Sequence, residues 1–294
     1  MSYSSITVIY NPNSTGPGHE LAKAFADRFA GTPYDGVVQL KATKHAGHAE
    51  ELAYELARGS AHPLIISSSG DGGYHEIVNG AMAARGEGAH PVTGLLPAGN
   101  ANDHYRSLHQ KPVEEMILKN ERHLVDLLLV EVAGPGGKWQ RHAHSYAGVG
   151  LTPQVGRELN KVDLNPVKEK IITLRALWQT RPVSVIVDGH EDRYDSIIAS
   201  NVPQMSKVLA VSKEASLTDG RFEISVLAHH TRWKLWRYLF RAATSGLDGH
   251  NHTDSYEFRA SEPMLIQLDG EIKRLAAGDL VSISVLPGAL HSVV

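Results

Sequence analysis

Short apolar runs alternate with helical patterns along the first 125 residues of the chain. Four runs rich in branched apolar side chains, at 6–10, 37–40, 64–66 and 92–96, predict strands. Between them, apolar positions recur every three or four residues, which is typical of helices with one buried face. This alternation predicts an α/β domain with a mostly parallel sheet covered on both faces.

The pattern changes in the second half, where turn-rich segments join most of the apolar runs. We predict strands at 125–132, 139–146, 183–187, 196–199, 222–227 and 264–268, and this arrangement favours an antiparallel β-sandwich. Helices are expected at 167–180 and 232–243, and a last strand at 280–285 could pair in either domain. The predicted domains are therefore 1–125, with 286–294 joined to it, and 126–285.

A glycine-rich segment follows the third predicted strand and leads into a helix expected to begin near Tyr74. Gly70, Gly72 and Gly73 permit positive φ and close backbone approach. A glycine turn before a helix N-terminus directs N–H groups and the positive end of the dipole at one spot, which suits an anion. Asp71 would repel a phosphate there unless a metal ion lay between them. The alternative is a tight turn with a capping Asp.

Two further polar loops follow predicted strands, one beginning at Asn11 and one containing Asn100. In open α/β sheets, ligands bind outside the carboxyl ends of the strands. We therefore expect these two loops and the Asp71 segment to converge on one crevice.

Composition narrows the classes of function. The 294 residues carry a formal net charge of −3 and no Cys, which argues against nucleic-acid binding and excludes thiolate chemistry. No apolar run approaches the roughly 20 residues of a transmembrane segment, and residues 1–5 do not resemble a signal peptide. A cytoplasmic location fits these features. The pairs His45/His48 and His142/His144 show no convincing further ligand, so we expect solvated histidines there.

The three loops resemble those of the diacylglycerol kinase catalytic domain, which includes soluble bacterial lipid kinases. The family patterns are N-P-x, G-G-D-G-T-x-N-E-V-x-N-G and L-P-x-G-T-x-N-D-F-A-R. This chain matches them with Asn11-Pro12, with Gly70-Asp71-Gly72 and Glu76, Asn79 and Gly80, and with Leu96-Pro97-Ala98-Gly99, Asn102-Asp103 and Arg106.

The resemblance implies that residues 1–125 bind ATP, with Mg²⁺ on Asp71. The nucleotide-binding residues would be Asn11, Pro12, Ser14, Gly70, Asp71, Gly72, Gly73, Glu76, Gly99, Asn100, Asn102 and Asp103.

The chain departs from the family pattern at several phosphate-facing positions. Gly73 and Asn100 each stand where the family has Thr, Ser69 replaces a Gly, and His75 replaces an Asn. Two missing hydroxyls would cost about 1–3 kcal/mol of phosphate contact if nothing replaced them. Backbone N–H groups of Gly72 and Gly73 could still hold phosphates.

In the second half, Asp269-Gly270-Glu271 resembles the D-G-E of the lipid kinases. By resemblance, Asp269 is the general base that accepts the proton of the attacking hydroxyl, and Glu271 supports it or a metal. The pattern alone would indicate only a turn.

The segment Ala215, Asp219 and Gly220 resembles the family's A-x-x-x-D-G. There the resemblance implies a structural Mg²⁺ on Asp219, with the backbone carbonyls of Ser216 and Arg221. The alternative is an ordinary hairpin turn.

The stretch 229–241 reads as a helix with basic residues beside tryptophans, a pattern that suits an anionic bilayer surface. A helix packed on the sheet with a solvated basic face is the alternative.

We therefore expect an ATP-dependent, Mg²⁺-assisted kinase that phosphorylates a lipid hydroxyl of diacylglycerol type, peripheral at the membrane and compatible with a homodimer. One alternative is a catalytically impaired nucleotide- or lipid-binding module on the same fold. Another is a kinase for a soluble acceptor such as NAD.

Overall fold

The computed structural model describes residues 3–14, 16–30, 32, 38–108, 111–153, 181–205, 209–210, 215–229 and 251–293. The chain divides into two compact units. The first unit comprises Met1–Leu127 and Pro287–Val294, and the second comprises Leu128–Leu286.

The first unit alternates strands with helices. Its strands are β1 (Ser5–Tyr10), β2 (Val38–Ala42), β3 (Pro63–Ser69) and β4 (Val92–Pro97). Its helices are α1 (Gly18–Phe29), α2 (His48–Arg58), α3 (Asp71–Gly86), α4 (Asp103–Leu108) and α5 (Val113–Leu118).

The remaining strands belong wholly or partly to the second unit. They are β5 (His123–Gly134), β6 (Gly137–Ala143), β7 (Tyr146–Gly150), β8 (Val183–Val187), β9 (His190–Ser200), β10 (Gln204–Met205), β11 (Leu209–Ala210), β12 (Phe222–Ala228), β13 (Asn251–Thr253), β14 (Ser255–Ala260), β15 (Met264–Leu268), β16 (Glu271–Leu275) and β17 (Leu280–Ser292). The ranges of β5 and β17 each begin in one unit and end in the other.

The sheet of the first unit is parallel, in the order β17-β4-β3-β1-β2. Successive side chains of β3 point to opposite faces. Leu64 and Ile66 therefore pack with residues of α1 and α5, whereas Ile65 packs with residues of α2 and α3. Helices cover both faces, and the loops after β1, β2, β3 and β4 lie at the carboxyl edge of the sheet.

The sheet of the second unit is antiparallel, in the order β16-β15-β7-β9-β8-β14-β17, with β12 also paired to β9. One apolar core fills it, built from alternating inward residues of these strands, among them Val149, Phe222, Phe258 and Ile266.

The predicted fold class is confirmed, since a parallel α/β region is followed by an antiparallel β region. Two local predictions were wrong, and several strands were missed. The third helix begins at Asp71 and not near Tyr74, the run 139–146 is interrupted at His144 and Ser145, and strands β13, β14 and β16 carried no pattern that we recognised. The helices predicted at 167–180 and 232–243, and the basic and aromatic stretch after residue 229, lie outside the described residues.

The early start of α3 has a simple cause. Gly70 precedes the helix with extended backbone, φ −87° and ψ −172°, and Asp71 occupies the first helical position, where a negative charge is favourable. Neither Gly70 nor Gly72 nor Gly73 has positive φ. Among the helices in the described ranges, none is long and apolar enough to cross a bilayer.

Candidate active site

The start of α3 offers backbone donors at the carboxyl edge of the first unit. Its first helical hydrogen bond runs from the Tyr74 N–H to the Gly70 carbonyl, at 3.2 Å. The N–H groups of residues 71–73 therefore precede the helical ladder and point out of the helix end, where the dipole is positive. Gly72 is exposed and Asp71 and Gly73 are half-buried. A ligand with negative charge could approach this end.

Close backbone approach explains two of the glycines in these loops. A Cβ on Gly70 would lie 3.0 Å from the Cα of Gly99, which belongs to the loop after β4. Two backbones can come this near only if neither residue carries a side chain at the contact. The loop after β3 and the loop after β4 are thus in direct contact.

The loop after β1 joins the same group. A Cβ on Gly16, in this loop, would overlap the carbonyl oxygen of Ala98 in the loop after β4. The Ser68 hydroxyl near the end of β3 donates to the Gly18 carbonyl at the start of α1, at 2.6 Å. The exposed side chain of Asn11 accepts the Asn13 N–H at 2.9 Å and so folds the loop into a turn. Pro12 and Ser14 lie in the same exposed turn. The structure therefore brings the three loops together within the first unit.

The loop after β4 is closed by Asn102. Its amide accepts the Gly99 N–H at 3.0 Å and donates to the Gly99 carbonyl at 2.8 Å, and the residue adopts φ +52°. Asn100 is exposed in the middle of this loop. Asp103 is buried and pairs with Arg106, so its carboxylate serves the start of α4 and faces away from solvent.

Asp71 links the two loops through its own carboxylate. Its Oδ1 lies 3.4 Å from the His104 backbone nitrogen, at the start of α4. The side chain is half-buried. An oxygen ligand beside outward backbone donors suits a hard cation that also contacts phosphate, so its chemistry fits Mg²⁺.

Ser69 explains why position 73 has no side chain. A Cβ on Gly73 would lie 2.7 Å from the Cβ of Ser69, closer than packed carbon atoms come. The Ser69 hydroxyl also bonds with that of Ser67 at 2.6 Å. The two departures from the family pattern at 69 and 73 are therefore coupled, because the side chain at 69 fills the space that one at 73 would need.

Two further residues of the α3 motif are structural in this unit. The carboxylate of Glu76 accepts the N–H groups of Gly47 and Ala49 at 3.1 and 3.2 Å, and so holds the start of α2. Asn79 is buried and its amide donates to the His75 carbonyl at 2.9 Å. The Glu76 carboxylate is thus engaged with α2, although the sequence had placed it among the nucleotide ligands.

Asp269, in the second unit, is held by the backbone. Its Oδ2 accepts the His144 N–H at 2.7 Å, and its Oδ1 accepts the N–H groups of Ser145 and Tyr146, both at 2.9 Å. The residue is 1% exposed and has φ +48°. Hydrogen bonds to a charged acceptor are stronger than neutral ones. This carboxylate therefore fixes the turn between β6 and β7 and accounts for the break in the predicted strand.

His144 is a site residue that the sequence did not reveal. We expected a solvated histidine, but the side chain is fully buried, with Nε2 3.5 Å from the Oδ2 of Asp269 and Nδ1 2.8 Å from the Ser145 hydroxyl. Its neighbours in sequence gave no sign of this, because the contact depends on a carboxylate 125 residues later.

Glu271 lies among cations. Its Oε2 is 3.3 Å from the Arg141 Nε, and its Oε1 is 3.2 Å from the Lys273 Nζ. Lys273 also lies over the ring of Trp139, 5.3 Å from the centroid. Glu271 therefore forms ion pairs with two cations.

Asp219 lies in an exposed turn before β12. Its Oδ1 accepts the Arg221 N–H at 3.0 Å, and Gly220 has φ +71°. Ser216 forms a hydroxyl contact with Thr218 at 3.2 Å. These bonds are typical of a turn built on an Asp. The structural Mg²⁺ at Ser216, Asp219 and Arg221 remains a prediction.

Comparisons with known proteins agree with this arrangement. Residues 5–130 match the family model described as the diacylglycerol kinase catalytic domain, so the resemblance seen in the sequence is confirmed. A search of curated protein sequences gives no match.

Solved structures share the fold of the whole chain. One, named "A putative diacylglycerol kinase from Bacillus anthracis str. Sterne", aligns with a TM-score of 0.71 at 20% identity and covers 100% of this chain and 98% of that one. Another, described as a diacylglycerol kinase from the same organism, aligns with a TM-score of 0.67 at 20% identity, covering 100% and 97%. The family match covers the segment that contains the three loops, and the solved structures share the fold.

Proposed function

We propose that this protein is an ATP-dependent kinase that transfers the γ-phosphoryl group to a lipid hydroxyl, with a diacylglycerol-like acceptor. The observation that carries the proposal is the match of residues 5–130 to the diacylglycerol kinase catalytic domain. The contact of three loops around the outward N–H groups of residues 71–73 supports it independently.

The first unit would hold the nucleotide phosphates through its backbone. Fixed N–H groups at a helix start need no reorganisation when charge develops, and electrostatic preorganisation of this kind usually contributes more to catalysis than any other single effect. Asp71, at the same helix start, would hold Mg²⁺. The positive charge of the ion would offset the negative charge of the transferring phosphoryl group. Exposed Asn100 and Asn11 supply amide groups from the neighbouring loops.

Ser69 would replace the hydroxyl that is missing at position 73. Its side chain occupies the space where a side chain on residue 73 would begin, so its hydroxyl lies near the place where the family has Thr. In this structure the hydroxyl donates to the Gly70 carbonyl oxygen at 3.0 Å, and we propose that it turns to donate to a phosphate, in place of Thr, when the nucleotide binds.

Asp269 would act as the general base. The acceptor hydroxyl oxygen forms a bond to the γ-phosphorus while the bond from that phosphorus to the bridging oxygen breaks, and ADP leaves. The hydroxyl proton passes to the Asp269 carboxylate. Three backbone N–H groups hold the carboxylate in a fixed orientation. Glu271, between Arg141 and Lys273, would support the local charge.

The test is transfer of radiolabel from γ-labelled ATP to a panel of acceptors, namely diacylglycerol, phosphatidylglycerol, a sphingoid base and NAD. We expect a labelled phospholipid product from the wild type and loss of labelling in Asp71→Asn. Labelling of NAD alone would favour the soluble-acceptor kinase. Calorimetric binding of ATP and Mg²⁺ without transfer to any acceptor would favour the non-catalytic binding module and contradict our proposal.

We further propose that the protein is cytoplasmic and binds its lipid substrate peripherally, at a membrane surface. Sedimentation with anionic vesicles should then weaken as salt rises, because exposed charges are screened. Binding that is absent at low salt would contradict this part of the proposal.

A further inference from the structure

A cluster of metal-ligating side chains lies on the first unit, in the loop between β2 and α2 and on the first turns of α2. Within the described residues, one potential ligand atom each of His45, His48 and Glu51 lies within 4.8 Å of the others. The Nε2 of His45 is 3.8 Å from the Oε2 of Glu51, and the two imidazole rings are 4.8 Å apart between centroids. His48 and Glu51 are three positions apart and so share one helix face.

The orientation of His45 suits metal binding. Its Nδ1 is 3.1 Å from the Ala46 carbonyl oxygen. A carbonyl only accepts hydrogen bonds, so Nδ1 is the donor in this contact, and Nε2, on the side of Glu51, is the ring nitrogen that a metal would bind. Metal-binding histidines are commonly oriented in this way, with the second ring nitrogen bonded to a backbone carbonyl.

His48 makes a different hydrogen bond, which metal binding would break. The Lys44 N–H donates to the Nδ1 of His48 at 3.0 Å. A metal bound at Nδ1 would take that lone pair. A metal bound at Nε2 would require the proton to move to Nδ1. In either case the Lys44 N–H loses its acceptor and the hydrogen bond that now holds it.

The backbone next to these side chains is held by hydrogen bonds to another helix. Glu76 of α3 accepts the N–H groups of Gly47 and Ala49, and α2 runs for 11 residues from His48. The backbone that presents the ligands is therefore fixed, while the side chains of His45 and Glu51 are more than half exposed. Ligand atoms around zinc lie about 3–3.5 Å apart, a distance that these exposed side chains reach by small rotations.

We propose that His45, His48 and Glu51 form a binding site for a borderline divalent transition metal, with Zn²⁺ the preferred ion. Two imidazoles and one carboxylate are a known zinc ligand set, and water would complete the tetrahedron. Mg²⁺ prefers oxygen ligands alone, so this site differs from the Asp71 site in the ion that it selects. The sequence alone showed no further ligand beside His45 and His48, whereas the structure places Glu51 next to them.

The proposal does not rest on kinase activity. If the chain proves inactive with every acceptor, the zinc site is still testable by binding alone.

The first experiment is a titration of the full chain with Zn²⁺ in excess Mg²⁺, in competition with a chromophoric chelator. We expect one site whose affinity falls about tenfold or more in His45→Gln and in Glu51→Gln. The matched controls are His62→Gln, a half-buried histidine after α2, and Glu55→Gln, an exposed glutamate further along α2; both should bind as the wild type does. Zinc binding that is equal in all five proteins would overturn the proposal.

The second experiment follows the backbone amide of Lys44 by nuclear magnetic resonance. We expect its signal to shift and its hydrogen exchange to accelerate when Zn²⁺ is added to the wild type, and not when Mg²⁺ is added. A Lys44 amide that is unchanged at full zinc occupancy would exclude His48 as a ligand and overturn the three-residue site.

Discussion

Asp71 and Asp269 are both aspartates beside glycine, yet the backbone around them is used in opposite ways. At Asp71 the N–H groups of the helix start point outward and the carboxylate is half-buried. At Asp269 three backbone N–H groups point inward to the carboxylate, which is 1% exposed. The first region presents donors that could bind a ligand, whereas the second uses its donors to hold its own side chain.

This difference teaches which property each substitution should disturb. Replacing the Asp71 carboxylate with an amide removes the charge near the outward donors and keeps an oxygen that can accept the His104 N–H. Removing the Asp269 carboxylate leaves buried N–H groups without their acceptor. We therefore expect function alone to fail at the first position, and function and stability together at the second.

The largest effect is expected for Asp269→Asn. An asparagine side chain cannot accept at both ends, so its amide N–H₂ would face a backbone donor. We expect the free energy of unfolding to fall by about 1–3 kcal/mol and the rate of phosphoryl transfer to fall by about 10²–10⁴. Urea unfolding and the radiolabel assay measure the two changes.

Asp279→Asn is the matched control for that substitution. Asp279 is equally buried and accepts the N–H groups of Gly136 and Ala276, both at 2.8 Å, but it has no proposed role in transfer. It should lose similar stability and keep its activity below the unfolding midpoint. Equal losses of activity in the two variants would show that Asp269 has only a structural role.

Asp71→Asn should separate function from stability. We expect phosphoryl transfer to fall by about 10²–10³ because a charge aimed at the phosphates is lost, while the free energy of unfolding changes by less than about 1 kcal/mol. When Mg²⁺ is titrated in the assay, the activity of the variant should depend less on the Mg²⁺ concentration than that of the wild type. Activity within about twofold of the wild type would remove Asp71 from the phosphate site.

The coupling of Ser69 and Gly73 predicts a smaller, reciprocal effect. Gly73→Thr alone should cost about 1–3 kcal/mol of stability, since its side chain would overlap Ser69. Ser69→Gly alone should slow transfer about three- to tenfold through loss of a hydroxyl. The double variant should recover both properties, because it restores the family pattern. Additive losses in the double variant would contradict the coupling.

The smallest effect concerns acid sensitivity of the first unit. Burial lowers the pKa of His291 from its usual 6.5, and Arg122, Arg85 and His90 lower it further. Because the folded pKa is the lower one, the unfolded chain binds the proton first. The stabilising contribution is therefore present above about pH 6.5 and is lost as pH falls through the folded pKa.

His291→Gln should remove that part of the pH dependence. Urea midpoints of wild type and variant, measured between about pH 7.5 and about pH 5.5, should converge as the pH falls. A constant difference between the two proteins would show that His291 does not titrate in this window.

Periodicity predicted most of the first unit because each strand and helix carries its own pattern. The strands predicted at 6–10 and 92–96 fall within β1 and β4, and those predicted at 183–187 and 264–268 match β8 and β15 residue for residue. Where the chain departs from such patterns, contacts between residues distant in sequence determine the local structure. The break at His144 depends on Asp269, and the helical start at Asp71 depends on a glycine that meets Gly99 across a loop.

The candidate site was predicted less completely than the fold. Motif spacing indicated the three loops, but it could not show that Glu76 contacts the start of α2, because those partners lie 29 and 27 positions away in the sequence. The compensation between Ser69 and Gly73 is also a matter of distance, since residues four apart meet because a strand ends and a helix begins between them.

The most direct test of the central claim is hydrogen exchange of the backbone amides with and without ATP and Mg²⁺, resolved by peptide. We predict protection of the amides of residues 71–73 and of the Asn100 loop when the nucleotide binds. Nucleotide binding without protection at the start of α3 would contradict the account.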